Sequence, residues 1–209
     1  NVRFRAMGYS IQSGKLIPDS FAYLYISRGL ACPIMVKNSV VSGYHSASGE
    51  VGHSTILINE GNEIVEKTAD DLIGEEVLIK KCRELLKNGK APILNSICTS
   101  DKSLSFSDII RAQAEGDTDV SEVIRQSIYY LGIVLSNAVN LINPGVVIVD
   151  GYIMKNQVNQ STLLDVAHKH FFSLNKEEVT IIFKPFDHFF GAKSAALSAI
   201  QKFFIEKQL

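Results

Sequence analysis

One short apolar run constrains the fold of this chain more than any other stretch. Residues 146–149 are all valine or isoleucine, and they lie between Pro144-Gly145 and Asp150-Gly151. A continuous apolar run of this length, bounded by turn residues, is typical of a strand that is covered on both faces. We therefore expect a sheet with helices packed against it.

The other predicted elements make that sheet mixed. Strands come first as an antiparallel meander with a tight turn at Asn38, and later strands alternate with helices. The predicted strands are 21–27, 33–37, 39–41, 54–58, 64–66, 146–149 and 180–183. The predicted helices are 4–13, 70–87, 105–114, 156–172, 192–206 and a long one that is capped by Asp119 or Ser121 and reaches Leu141. Residues 95–102 are predicted to be a loop.

Composition narrows the functional classes. Acidic and basic residues nearly cancel to a net charge of −1, so nothing in the charge balance indicates a nucleic-acid-binding surface. No apolar run could span a bilayer and the first residues lack the core of a secretion signal, so we expect a cytoplasmic protein. Cys32, Cys82 and Cys98 form no CxxC pair and are interpreted as buried free thiols. The chain of 209 residues does not begin with Met, and we expect a piece of a longer protein.

The segment Gly49-Glu50-Val51-Gly52-His53 carries the first functional signal. Its two glycines allow a tight turn or a close approach of the backbone to a ligand. A carboxylate accepts hydrogen bonds from two hydroxyl groups, and an imidazole can donate or accept a third. The alternative is a purely structural role, in which Glu50 is a turn residue and His53 is a buried histidine with an internal hydrogen-bond partner.

Two further segments accompany this motif in a characteristic order. One runs from Asn137 to Gly151, through Asn143-Pro144, and the other is Gly191-Ala192-Lys193-Ser194-Ala195-Ala196. Together the three segments resemble the ROK family, which groups sugar kinases with sugar-responsive repressors. The resemblance implies an α/β fold that is the C-terminal half of an actin-like ATPase (ribonuclease H-like) fold, with antiparallel hairpins and packed helices. Residues 1–209 would then form one sugar-binding and oligomerisation domain, and an N-terminal lobe and any helix-turn-helix would lie outside this chain.

The same resemblance assigns a sugar site. It implies that Glu50 and His53, held by Gly49 and Gly52, contact sugar hydroxyls. Further candidates are Asn1 and Arg3, which align with the family's catalytic aspartate and with a later family asparagine. The family's second sugar-binding glutamate follows the zinc loop, and Glu66 or Glu63 could substitute for it. The family's zinc loop has three cysteines after this histidine, and no cysteine occurs among residues 54–66. One histidine cannot hold a tetrahedral zinc ion, so we expect no metal and no other cofactor.

The phosphate loop of the family kinases is degenerate in this chain. The matching stretch is Ser27-Arg28-Gly29-Leu30-Ala31-Cys32-Pro33, in which Gly29 alone survives. Pro33 has no backbone N–H to offer a phosphate, although Arg28 adds a cation there. The alternative interpretation is that the Arg28 side chain is solvated or packs against neighbouring residues.

The catalytic base is also unmatched. The best register places Asn1 on the family's catalytic aspartate and a shift by one places Val2 there, and neither can remove a proton from a sugar. Asp150 matches one glycine of a Gly-Gly pair that lies near the adenosine pocket in the family kinases. An aspartate side chain at this position would narrow that pocket. Loss of the base, the phosphate loop and the zinc loop together predicts that the chain is catalytically inactive.

Three functional hypotheses remain from the sequence. The first is the effector-sensing and dimerisation domain of a ROK-type transcriptional regulator. Its partners would be a sugar or sugar phosphate, further copies of the chain in a homodimer or tetramer, and DNA through the missing domain, with no membrane partner. The second is a diverged ATP-dependent hexose or N-acylhexosamine kinase. The third is a structural domain that only dimerises.

Overall fold

A mixed sheet forms the centre of the computed structural model, which describes residues 2–98, 104–172 and 178–205. Its strand order is β4-β3-β1-β7-β8, and β2 pairs with the end of β1. The strands are β1 (Phe21–Ile26), β2 (Leu30–Ala31), β3 (Ile34–Val36), β4 (Ser39–Val40), β7 (Val146–Gly151) and β8 (Thr180–Phe183). A separate two-stranded hairpin is formed by β5 (Thr55–Glu60) and β6 (Glu63–Thr68).

The apolar run lies where the sequence predicts a doubly covered strand. Strand β7 lies between β1 and β8 and is parallel to both, with Ile148 opposite Tyr23 on one side and Ile182 on the other. Val147, Ile148 and Val149 are fully buried. A strand flanked by parallel neighbours and covered by helices cannot expose either face, which confirms the prediction.

Two apolar cores lie on the opposite faces of the sheet. Because successive side chains of a strand point to opposite faces, Ala22 and Leu24 of β1 belong to the larger core, whereas Phe21 and Tyr23 belong to the smaller one. The smaller core is closed by α1 (Val2–Ser13) and α8 (Phe190–Ile200), which pack against each other. Helix α8 continues as one π-helical turn over Gln201–Ile205.

Six further helices cover the larger core. They are α2 (Asp70–Ile73), α3 (Glu75–Lys87), α4 (Pro92–Ile97), α5 (Phe106–Ala114), α6 (Thr118–Ile142) and α7 (Gln157–His170). Helix α6 packs most extensively against α7. In the part of the chain that the structure describes, no helix combines the length and apolar character that crossing a membrane requires.

The structure corrects several element boundaries. The predicted meander is wrong in one respect, because β5 and β6 pair with each other and not with the central sheet. The predicted helix over 70–87 is interrupted at Gly74, where the backbone is extended (ψ 150°) and the N–H of Glu75 donates to the carbonyl of Ser27 (2.9 Å). That bond ties the helix to the turn after β1, a constraint that periodicity does not reveal.

Other corrections concern helix ends. The cap of α6 is Asp117, whose side chain accepts a hydrogen bond from Val120 N–H (3.2 Å), and not Asp119 or Ser121. Residues 95–97 of the predicted loop belong to α4, and residues 99–102 of it lie outside the described residues. Helix α7 ends at His170 rather than at residue 172, and α8 begins at Phe190 rather than at residue 192.

Candidate functional site

The two glycines of the Gly49–His53 segment are required by close backbone packing. Gly49 has φ +84°, and a Cβ there would lie 2.5 Å from the carbonyl oxygen of Cys32. A Cβ on Gly52 would lie 2.1 Å from Oδ1 of Asp70, at the start of α2. No side chain fits at these distances, so glycine at both positions lets the turn press against the core. The turn therefore holds Glu50 on a constrained backbone.

Glu50 lies between two adjoining hollows at the surface. One has a volume of about 310 Å³ and is lined by Val2, Arg3, Ala31, Pro33, Ser48, Gly49 and Glu50. The other, of about 350 Å³, is lined by Val2, Tyr25, Ser27, Arg28, Gly29, Leu30, Ala31, Glu50 and Asp70. Each volume is at the lower end of the range for small-molecule sites, about 300–1,000 Å³. An exposed carboxylate between two such hollows can accept hydrogen bonds from adjacent hydroxyl groups.

Arg3 brings a hydrogen-bond donor to the first hollow. It lies in the first turn of α1, and its guanidinium donates to the carbonyl oxygens of Ser46 and Ser48, the latter at 3.3 Å. A guanidinium presents N–H donors in a planar fork, so these bonds orient the side chain beside the hollow. The structure therefore brings the predicted candidates Arg3 and Glu50 to one site. Asn1 lies outside the described residues.

His53 and Glu66 are placed elsewhere. His53 ends a short 3₁₀ turn (Val51–His53) and is exposed, and it lines neither hollow beside Glu50. Glu66 is exposed on β6, where it pairs with Leu57, and it also lines neither hollow. Their roles in sugar binding stay predictions.

The segment matching the phosphate loop is bound to other parts of the protein. The N–H of Leu30 donates to Oδ1 of Asp70 (2.8 Å), and the N–H of Ser27 donates to the carbonyl of Gly29 (3.0 Å). Arg28 is exposed, and its Nε lies 3.8 Å from Oε1 of Glu76. The N–H of Cys32 donates to the carbonyl of Gly49 (2.6 Å), so internal partners occupy at least three N–H groups of the stretch.

A buried ionic cluster lies beneath the carboxyl ends of β1 and β7. Asp150 is fully buried, and its Oδ2 accepts hydrogen bonds from Nη1 of Arg5 (2.8 Å) and from the hydroxyl of Tyr23 (2.5 Å). The Nζ of Lys184 lies 4.0 Å from Oδ1, which has no hydrogen-bond partner among the described residues. Burial, followed by the charge of Asp150, raises the pKa of Tyr23, and burial lowers the pKa of Lys184.

No group of three or more histidine, cysteine, aspartate or glutamate side chains within the described ranges is arranged to hold a metal ion.

Comparison with known proteins decides the family. A model of the ROK family matches residues 1–202. The chain belongs to the ROK family. The resemblance inferred from its motifs is therefore confirmed.

Known ROK proteins similar to this chain include repressors and kinases. The chain is 31% identical over 143 residues to the xylose repressor of Bacillus subtilis (strain 168), which covers 66% of this chain and 33% of that repressor. Its structure is similar to that of a ROK family transcriptional regulator, a homolog of the E. coli MLC protein (TM-score 0.74, 20% identity, 93% of this chain and 49% of that chain). It is also similar to a ROK family glucokinase from Streptomyces griseus, in complex with glucose and AMPPNP (TM-score 0.78, 17% identity, 95% and 66%).

These similarities confirm the predicted fold class. The structural neighbours are ROK proteins with the actin-like ATPase fold, and this chain shares their α/β architecture with a mixed sheet and packed helices. The xylose repressors similar to this chain are longer than the segment that matches it. The matched segment spans about a third of those repressors.

The Arg5–Asp150 pair is the feature that sequence reasoning missed in this ROK chain. Arg5 and Asp150 are separated by 145 positions, and no local pattern joins them. Asp150 stood out as a departure from the family's Gly-Gly pair, but its side chain does not line the hollows beside Glu50. It forms a buried ion pair with Arg5 of α1 instead.

Proposed function

We propose that this chain is the C-terminal sugar-sensing and oligomerisation domain of a ROK-type transcriptional regulator, and that it is catalytically inactive. Its similarity to xylose repressors supports this role. The N-terminal lobe and a helix-turn-helix would lie in the rest of a longer protein. The sugar or sugar phosphate would be the effector, and a homodimer or tetramer of cytoplasmic chains would be the responding unit.

The proposed sugar site depends on one observation, the position of Glu50. Glu50 is held between two hollows by glycines that no other residue could replace without a clash, and Arg3 contributes donors to the same place. A carboxylate and a guanidinium together can satisfy both the donor and the acceptor of each sugar hydroxyl. Xylose is the first sugar to test, because the similar repressors bear its name.

The proposed inactivity follows from the kinase parts that are unmatched. A phosphate loop needs several free backbone N–H groups aimed at one point. Here the N–H groups of Ser27 and Leu30 already have internal partners, and Pro33 has no backbone N–H group. The sequence register also places Asn1 or Val2 on the family's catalytic aspartate, and neither residue can activate the sugar hydroxyl.

The signalling mechanism would be a population shift. An effector that binds one arrangement of the two lobes more tightly than another favours that arrangement in proportion to the difference in affinity. In a dimer, the change in lobe arrangement would alter the spacing of two DNA-reading helices, which must match the separation of the half-sites.

Calorimetric titration of the chain with xylose, glucose and their phosphates tests the sugar site. Glu50→Gln should weaken binding of the preferred sugar by roughly 1.5–3 kcal/mol, the range for hydrogen bonds to charged groups. Glu178→Gln, an exposed carboxylate away from the hollows, is the matched control and should bind as the parent does. His53→Ala and Glu66→Gln would show whether these residues contribute. An unchanged affinity of the Glu50 variant would place the sugar elsewhere.

The two alternatives have their own readouts. Structural similarity to a glucokinase keeps the kinase hypothesis open, and ATP turnover by the full-length protein across a sugar panel would establish it. If no sugar of the panel binds and light scattering shows a stable dimer, the hypothesis of a domain that only dimerises is favoured.

A further inference from the structure

A further cavity lies beside the ionic cluster. It shares Tyr25 and Ser27 with the second hollow beside Glu50, but Glu50 does not line it. It has a volume of about 370 Å³ and lies at the carboxyl ends of β1 and β7, where Tyr25 is the last residue but one of β1 and Tyr152 follows β7. Ligands of open α/β sheets commonly bind at the carboxyl ends of the strands. Its walls are Arg5, Tyr25, Ser27, Glu75, Ser105, Phe106, Ser107, Tyr152, Phe186 and His188.

Aromatic rings form most of the apolar wall. The ring of Tyr152 packs edge-on against Phe106 and Phe186, with centroid distances of 6.1 and 5.0 Å. Phe186 in turn packs against His188 at 4.7 Å. Mutual edge-to-face contacts hold such rings in place, and a planar ligand gains contact area with them at little cost in side-chain ordering.

The polar groups of the cavity sit among these rings. The guanidinium of Arg5 is 11% exposed, lies 4.1 Å from the centroid of the Tyr25 ring, and donates through Nη1 to Asp150. Arg5 and Lys184 share this fully buried carboxylate, whose Oδ1 has no hydrogen-bond partner within the part of the chain that the structure describes. The shared carboxylate leaves Arg5 with attraction for a further anion, and it is Arg5 that lines the cavity.

Glu75 supplies an acceptor on the same wall. It is the first residue of α3, and burial raises the pKa of its carboxyl group. A half-buried carboxylate has lost hydrogen bonds to water, so a ligand donor that replaces them is favoured. The cavity thus combines one guanidinium, one carboxylate and an aromatic wall.

We propose that this cavity binds a small planar aromatic carboxylate that carries a hydroxyl group, with its carboxylate on Arg5 and its hydroxyl on Glu75. The Arg5–carboxylate bond is charge-assisted and the ring lies against Tyr152 and Phe186. A nucleotide fits this lining less well, because its polyphosphate would meet one guanidinium together with the carboxylate of Glu75. The inference is independent of the sugar site proposed for Glu50.

Calorimetry and ligand-observed NMR with 4-hydroxybenzoate test the proposal on the 209-residue chain. The neutral analogue 4-hydroxybenzamide should bind at least tenfold more weakly, and benzoate, which lacks the hydroxyl, severalfold more weakly. Arg5→Gln should also lose at least tenfold, whereas Arg111→Gln, a surface arginine paired with Glu115, should bind as the parent does. Phe186→Ala should weaken binding severalfold.

The comparison of ligands on the unaltered chain remains decisive even if Arg5→Gln does not fold. Equal binding of the acid and the amide, or no binding of 4-hydroxybenzoate at millimolar concentration, would overturn the proposal. Displacement of 4-hydroxybenzoate by a lower concentration of ATP would also overturn it, since the cavity would then be a nucleotide site.

Discussion

Replacing Asp150 by asparagine tests how strongly the buried ionic cluster holds this domain together. The substitution keeps the shape and an oxygen acceptor but removes the charge. Arg5 and Lys184, 11% and 7% exposed, would then share a site with no carboxylate. Buried charges are costly without a partner, because the lost hydration is no longer offset.

The expected loss can be scaled from the geometry. The Arg5–Asp150 pair has a nitrogen–oxygen distance of 2.8 Å, and the carboxylate also accepts from Tyr23. Removing one partner of such a buried pair costs about 3–5 kcal/mol. A domain of this size loses about 2–4 °C in melting temperature per kcal/mol, so Asp150→Asn should melt roughly 6–20 °C lower.

Urea unfolding and calorimetry provide the measurement. The control is Glu115→Gln, which removes an ion pair with Arg111 of the same 2.8 Å length from the surface. Water screens that pair, and its loss should cost at most about 0.5 kcal/mol. The double variant Arg5→Met/Asp150→Leu should lose less than the sum of its single variants, because neither Arg5 nor Asp150 is then buried without the other. Lys184 loses its carboxylate in the double variant as it does in the Asp150 single variant.

Equal effects of Asp150→Asn and Glu115→Gln would refute this reasoning. They would mean that water reaches the cluster in solution and screens it as it screens a surface pair. A double variant as unstable as the sum would refute the pairing of Arg5 with Asp150.

Two further predictions concern the packing of the sugar-site turn and the buried thiols. Gly52→Ala should lower the free energy of unfolding by about 1–3 kcal/mol, because the new methyl would overlap Asp70, whereas Gly145→Ala, with no atom near its Cβ, should stay within about 0.5 kcal/mol in the same urea titration. Burial raises the pKa of Cys32 from 9.0 to about 12, so the folded state keeps a proton that the unfolded chain loses. Its contribution is complete below pH 9 and falls by about 1.4 kcal/mol per pH unit as the pH rises towards 12. Cys32→Ala should therefore flatten the decline of stability measured between pH 8 and 11, and parallel curves for parent and variant would contradict this.

Local patterns in the sequence correctly predicted the central elements. The apolar run at residues 146–149 forms β7, and the turn at Asn38 joins β3 to β4, where Lys37 and Asn38 have φ values of 51° and 62°. Each signal depends on residues that are close in sequence, so no knowledge of distant contacts was needed. The family motifs likewise consist of short segments, and they led to the ROK family.

The errors occurred where a distant partner decides the local structure. Asp117 rather than Asp119 caps α6 because its side chain also accepts from the N–H groups of Ile93 and Leu94 (3.1 and 3.0 Å), at the start of α4. Asp119 instead accepts from the N–H of Ala91 (2.9 Å). Both residues suit a cap by type, and tertiary contacts choose between them.

The sequence by itself determined most of the strands and helices and the family, and it selected Glu50 as a candidate, because periodicity, turn chemistry and motifs depend on consecutive residues. The tertiary structure alone decided that Arg3 joins Glu50, that His53 lines neither hollow beside it, and that Arg5 meets Asp150. These outcomes depend on how α1 and the central strands pack. Residues far apart in the chain interact only after that packing brings them within a few ångströms.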